Sequence, residues 1–103
     1  MIIVETSIFT RRVLELLPDD EYRELQAFLV DRPDIGVVIP GSGGLRKIRW
    51  SATGHGKRGG ARVIYYLRKA AGEIWLLTIY GKNVRENIPA HVLKQMREAI
   101  DDE

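Results

Sequence analysis

Cysteine is missing from this 103-residue sequence, histidine occurs only twice, and no apolar run is long. Without cysteine there are no disulfides and no thiolate metal sites. Two isolated histidines make a zinc site improbable. No stretch approaches the roughly 20 apolar residues of a membrane-spanning helix. Met1 to Glu5 lacks the basic and apolar regions of a secretory signal. The expectation is a cytosolic chain with no membrane association, metal or cofactor. At this length and with 45% hydrophobic and 29% charged residues, one domain over residues 1–103 with one modest core is expected.

The most telling absence is of acid in the middle. Residues 35–72 contain Arg46, Lys47, Arg49, Lys57, Arg58, Arg62, Arg68 and Lys69 and no Asp or Glu, a net of +8. Residues 1–34 carry four basic and eight acidic side chains, and residues 73–103 carry four and six, so the flanks are at −4 and −2. An acid-free cationic block between acidic flanks is the footprint of a polyphosphate-binding surface. A solvated charged face is the plain alternative. Here, however, the cations fall on strand-like runs and one glycine-rich loop.

Hydrophobic spacing gives the elements. Ile2, Ile3 and Val4 form a β-branched run, read as a strand. Phe9, Val13, Leu16 and Leu17 then repeat at helical spacing until Pro18. Asp19 or Asp20 can cap a second helix, in which Tyr22, Leu25, Phe28 and Leu29 share a face up to Pro33. Strand-like runs cover about Leu45 to Ser51, Arg62 to Arg68 and Ile74 to Tyr80, with connections suited to antiparallel neighbours. Pro89 suits a first helical position, and Val92, Leu93, Met96 and Ile100 stripe a last helix. The expected fold is α+β in the order β-α-α-β-β-β-α, antiparallel hairpin strands with helices packed on one sheet face.

Period-two alternation assigns the strand faces. Ile48, Trp50, Val63, Tyr65, Leu67, Trp75, Leu77 and Ile79 are expected towards the helices, with Thr78 and Tyr80 facing away. In that register Lys47, Arg49, Arg62, Tyr66 and Tyr80 share one open surface. Cations interleaved with rings can hold phosphates and stack bases. The plainer reading of the tyrosines is packing with the hydroxyl at the rim, and it is preferred for Tyr65.

Two glycine-rich phrases bear on chemistry. Gly41-Ser42-Gly43-Gly44 precedes Leu45-Arg46-Lys47-Ile48-Arg49, so a strand follows and no helix N-terminus is there for a pyrophosphate. Gly54-His55-Gly56-Lys57-Arg58-Gly59-Gly60-Ala61-Arg62 lacks the spacing and the Ser or Thr of a P-loop. It reads better as a flexible hairpin loop whose glycines allow close approach to a nucleic-acid backbone.

Taken together, Leu45 to Arg49, Gly56 to Tyr66 and Leu77-Thr78-Ile79-Tyr80-Gly81-Lys82-Asn83 closely resemble the HigB-like branch of the RelE toxin superfamily. The likeness runs through nearly the whole element order and is strongest from Gly41 to Asn83. It implies a RelE-like fold, the toxin half of a type II toxin–antitoxin pair, and a bacterial cytoplasm. It also implies metal-independent cleavage of translated mRNA in the ribosomal A site, and inhibition by a HigA-like helix-turn-helix antitoxin.

The resemblance maps roles onto particular residues. Lys47 and Arg49 match the basic pair of the first hairpin strand. Arg62 matches the arginine opening the next strand and is the first candidate for transition-state stabilisation. Lys82 lies where a Gly-Lys segment follows the last strand; Asn83 stands where the superfamily often has an arginine. Lys57 belongs to the glycine-loop signature. No tyrosine follows Tyr80, which leaves Tyr80 as candidate proton donor or stacking ring. Arg46, Arg58, Tyr66, Arg68 and Lys69 are candidates for RNA binding. His55 joins them, a loop histidine whose plainer reading is incidental. His91 reads as surface or helix packing, and Trp50 and Trp75 as core. Two other classes stay open: a non-catalytic nucleic-acid or ribosome-binding module, and a protein-interaction partner whose basic surface meets an acidic regulator.

Overall fold

The computed structural model describes residues 1–51, 60–81 and 88–101. Strand β1 (Ile2–Glu5) leads into helix α1 (Ser7–Leu16) and helix α2 (Asp19–Asp31). Strands β2 (Val37–Val38), β3 (Arg46–Trp50), β4 (Ala61–Arg68) and β5 (Glu73–Gly81) follow, and helix α3 (Ala90–Asp101) ends the described chain. The sheet order is β1-β5-β4-β3-β2, with β1 parallel to β5 and the other neighbours antiparallel.

The α+β class and the expected element order hold, with one addition. Strand β2 is two residues long, too short to show a period, and pairs Val37 with Lys47 and Val38 with Arg46. The helix starts also differ slightly from expectation. Pro18, not an aspartate, holds the α2 cap position, and Asp19, Asp20 and Glu21 instead fill its first turn, where they suit the positive end. Pro89 stands just before α3, its carbonyl accepting from the Val92 and Leu93 amides at 3.0 and 3.1 Å.

Two apolar clusters sandwich the sheet. On one face Phe9, Val13, Leu25 and Leu29 of α1 and α2 meet Ile48, Val63, Tyr65, Ile74, Leu76 and Ile79. On the other, Leu93 and Ile100 of α3 meet Leu45, Ile64, Leu77 and Tyr80. The expectation that the helices share one face is therefore corrected: α3 crosses to the opposite side. Full burial of one such Leu or Ile is worth roughly 1.5–3 kcal/mol, so each cluster alone holds its helix firmly.

A second correction explains the first. The β4–β5 pairing slips between Ile64 and Tyr65: Ile64 opposes Thr78 while Tyr65 opposes Leu76, leaving Leu77 as an extra residue. A bulge of this kind breaks period two. Trp75 and Leu77, expected beside Val63 and Tyr65, thus turn to the α3 side and give that helix apolar ground. Leu76 and Ile74 take their places, while Ile79 stays where it was expected.

Candidate nucleic-acid interface

The register aligns three strands at one end of the sheet. Arg49 on β3 lies directly across from Arg62 on β4, and Arg62 lies directly across from Tyr80 on β5. Cross-strand partners share a face, so these three side chains form a row spanning two strand spacings, about 10 Å. Lys47, two residues before Arg49, adds a fourth member and opposes Ile64. This is the α3 side of the sheet: Lys47, Arg49, Arg62 and Tyr80 share a face as expected, but that face is not open throughout, because Tyr80 is buried in the cluster with Leu93 and Ile100 of α3.

Exposure varies along the row. Lys47 and Arg49 are exposed, Arg62 is half-buried, and Tyr80 retains 7% of its surface beside Leu93 and Ile64. Two arginines directly opposite each other are unfavourable by up to about 1 kcal/mol relative to a neutral pair. Guanidinium forks facing one open surface suit the oxygens of a phosphodiester, each taking two parallel hydrogen bonds.

Other candidates are drawn elsewhere. Arg46 sits across from Tyr65, on the α1/α2 side, where it donates to the carbonyls of Asp34 and Gly36 at 3.0 and 2.8 Å. Tyr65 is fully buried; its hydroxyl donates to Pro33 O at 2.8 Å and accepts from the Gly36 amide at 2.9 Å. Together they fasten the 33–36 loop, and the packing role preferred for Tyr65 is what is observed. Burial pushes the Tyr65 phenol above its ordinary value despite the Gly36 amide and Arg46, which act the other way.

Tyr66 shares the face of the row but is engaged by α3. The Arg97 guanidinium lies 4.9 Å from its ring centroid and donates to its hydroxyl at 2.9 Å. Arg97 also donates to Gly43 O at 3.0 Å and pairs with Asp101. The ring that sequence offered as a base-stacking platform thus carries a guanidinium of the chain itself. Arg68 is likewise committed, ion-paired with Glu73 at 3.3 Å, while Trp75 Nε1 donates to the same carboxylate at 3.0 Å. With Lys69 in the following turn, Arg68 stands six residues along β4 from Arg62, about 20 Å away. Trp50 packs on Phe28 at 5.5 Å between ring centroids, in keeping with a core role. His55, Lys57, Arg58 and Lys82 lie outside the described residues.

Sequence reasoning passed over two arginines. Arg97 is one; its i,i+4 spacing to Asp101 was visible but its reach to Tyr66 and Gly43 was not. Arg12 is the other: from α1 its Nη1 donates to Thr78 Oγ1 on β5 at 3.1 Å. Nothing in an acidic N-terminal third signals a cation directed at the sheet.

No family model matches the chain. Among solved structures it is similar to a mutant of the Escherichia coli toxin RelE in the free state, with a TM-score of 0.63 over 93% of this chain and 95% of that one. The fold is that of RelE. Sequence identity to that RelE structure is 14%, so the shared feature is architecture rather than side chains. The RelE fold agrees with the α+β order expected above, including helices set against a mostly antiparallel sheet.

Proposed function

We propose that this chain is the toxin of a type II toxin–antitoxin pair, of the HigB-like branch of the RelE superfamily, and cleaves translated mRNA in the ribosomal A site without a metal. The observation that carries the reading is the Arg49–Arg62–Tyr80 row flanked by Lys47, on a RelE fold. A HigA-like helix-turn-helix antitoxin is the proposed partner, and a bacterial cytoplasm the proposed setting.

In the proposed reaction the ribose 2′-oxygen attacks the adjacent phosphorus, its proton leaves to a base, and the P–O5′ bond breaks as the 5′-oxygen takes up a proton. Negative charge grows on the non-bridging oxygens along the way. Arg62 at the centre of the row, with Arg49 beside it, is suited to stabilise that charge, and Lys47 to hold a neighbouring phosphate. Tyr80 adds an O–H next to Arg62, suited to proton donation or to orienting the leaving oxygen. Alignment of the three reacting atoms falls to the ribosome and the row together. Lys57 and Lys82 complete the proposed set, with Arg58 and His55 as further RNA contacts.

A second reading has one observation in its favour: none of the four row residues is a carboxylate or an imidazole. That suits a non-catalytic RNA- or ribosome-binding module neutralised by a partner. Arg62→Ala separates the two. The nuclease reading predicts cleavage of translated message reduced about 100-fold or more, corresponding to roughly 3 kcal/mol of barrier, with ribosome binding largely kept. Cleavage that survives the substitution removes Arg62 from the chemistry.

A further inference from the structure

We propose that the apolar groove at the β2 edge of the sheet docks an extended segment of a partner protein in which acidic and apolar side chains alternate, and that this segment draws Lys47 and Arg49 away from the row; the second half rests on the nuclease reading above.

The groove follows from the brevity of β2. The sheet order ends on that strand, so its outer side has no neighbour among the described residues. The Ile39 amide donates inward to Leu45 O at 2.8 Å, and alternation along an edge strand therefore turns the N–H and C=O of Val38 outward. Beside them lies a groove of about 650 Å³ that reaches from Phe28 of α2, past Ile35, Val37 and Val38, to Lys47 and Arg49 of β3. Its lining is apolar apart from those two cations. Val37 keeps 75% of its surface exposed, Val38 47% and Ile35 43%. A single exposed valine is ordinary. A run of such residues along an open strand edge, joined to a concave apolar wall, marks a surface that another chain covers.

The lining selects the occupant. Nucleic acid is a poor match, because a base needs a free ring to stack on, and the one ring here, Phe28, already packs against Trp50. A second copy in symmetric contact fares no better, since it would bring Lys47 and Arg49 of both copies to one interface. Two cations with no acid in the lining call for carboxylates. Lys47 and Arg49 are exposed, share a face and stand two residues apart, about 7 Å. An extended segment repeats at the same rise, so carboxylates at alternate positions meet both cations together. The side chains between them turn the other way and suit the apolar walls. The outward N–H and C=O of Val38 add strand-type hydrogen bonds that guide the segment along the edge.

Lys47 and Arg49 belong to the groove and to the row at once, and Arg49 lies directly across from Arg62. A carboxylate on Arg49 competes with a phosphate for the same guanidinium fork. Occupancy of the groove therefore weakens the hold on RNA without reaching Tyr80.

The test uses the purified full chain and a fluorescein-labelled peptide of about ten residues in which glutamate alternates with valine, long enough to follow the groove at ~3.3 Å per residue. Anisotropy is expected to show saturable binding that weakens as salt is raised. Peptides with lysine in place of glutamate, or serine in place of valine, are expected to bind about tenfold less tightly or worse. Val37→Ser combined with Val38→Ser is expected to raise Kd about tenfold, with an unchanged melting temperature and cleavage within about twofold of wild type. Val37→Leu with Val38→Leu, which keeps the surface apolar, is expected to hold Kd within about threefold. Amide chemical shifts that move on peptide addition should cluster at 35–39 and 46–49. Absent binding, binding indifferent to the serine substitutions, or preference for the lysine peptide overturns the proposal. So does self-association of the wild-type chain that the serine variant abolishes, which assigns the groove to a second copy, or RNA binding that the serine variant weakens, which assigns it to RNA. If the wild-type chain cuts nothing, the nuclease reading has failed, and anisotropy and amide shifts still decide the docking site. If it cuts translated message, saturating peptide is expected to reduce cleavage about tenfold; cleavage unaffected by bound peptide overturns the claim on the row.

Discussion

At the scale of single residues, position in the ladder decides what each side chain can do. Lys47 and Arg49 alternate with Arg46 and Ile48, so the former two reach the open surface while Arg46 is spent on the Asp34 and Gly36 carbonyls. The Arg49–Arg62 opposition implies a trade between stability and activity. Arg49→Thr removes a like-charge contact and introduces a β-branched side chain. Its melting temperature should rise by a few degrees or stay level, while cleavage of translated message falls at least tenfold; calorimetry and a cleavage assay on one preparation check both. Tyr65 is the opposite case, a residue whose polar atoms serve only the fold. Tyr65→Phe strands the Pro33 carbonyl and the Gly36 amide in the interior, at a cost of roughly 1–3 kcal/mol in denaturant unfolding. It should also change the alkaline limb. Burial keeps this phenol protonated in the fold after the unfolded chain loses its proton near pH 10, so the stability it contributes is intact below that pH and declines above it. The substitution should make the decline shallower by about 1.4 kcal/mol per pH unit, leaving the contribution of Tyr22, whose phenol is raised by burial and by Glu5.

At the scale of elements, the sequence pattern was most legible where one period ran unbroken. The helical spacing of Phe9 and Val13, and of Leu25 and Leu29, led directly to the α1/α2 face, and the alternation of β3 and β4 led to the shared face of Arg49 and Arg62. It was least legible at β5. There Ile74 to Tyr80 is apolar at nearly every position, and such a run carries no mark of a bulge. The slip at Leu77 is a tertiary feature that sets Trp75 and Leu77 on the α3 side. Strand β2 escaped notice because two residues show no period. Tyr66 and Arg68 looked like ligand-facing groups because their partners, Arg97 and Glu73, are remote in sequence or across a turn. The start of α1 supplies a direct check on how elements interlock. Thr6 Oγ1 accepts from the Phe9 amide at 3.1 Å, capping α1, and donates to Leu77 O at the bulge. Thr6→Ala should therefore cost about 2 kcal/mol, the upper end for a lost cap, whereas a cap with no tie to β5 would cost nearer 1. Urea unfolding distinguishes these values.

At the scale of the whole molecule, charge and architecture point the same way. A net of +2 hides a central third at +8 between acidic flanks. Folding concentrates part of that third, Lys47, Arg49 and Arg62, beside Tyr80 at one end of one sheet face, on the architecture of RelE. The class of fold and the members of the row could be read before any coordinates, because both follow from periodicity and from a motif that spans three strands. The side to which α3 moves could not, nor could the arrival of Arg12 at the edge of β5. The central claim is that this surface works on message held by a ribosome. Primer extension on a defined transcript in a purified translation system, with and without ribosomes, tests it most directly. The account predicts cuts within codons only when ribosomes are present. Cuts of equal extent on naked RNA, or none from the folded chain with ribosomes supplied, would contradict it.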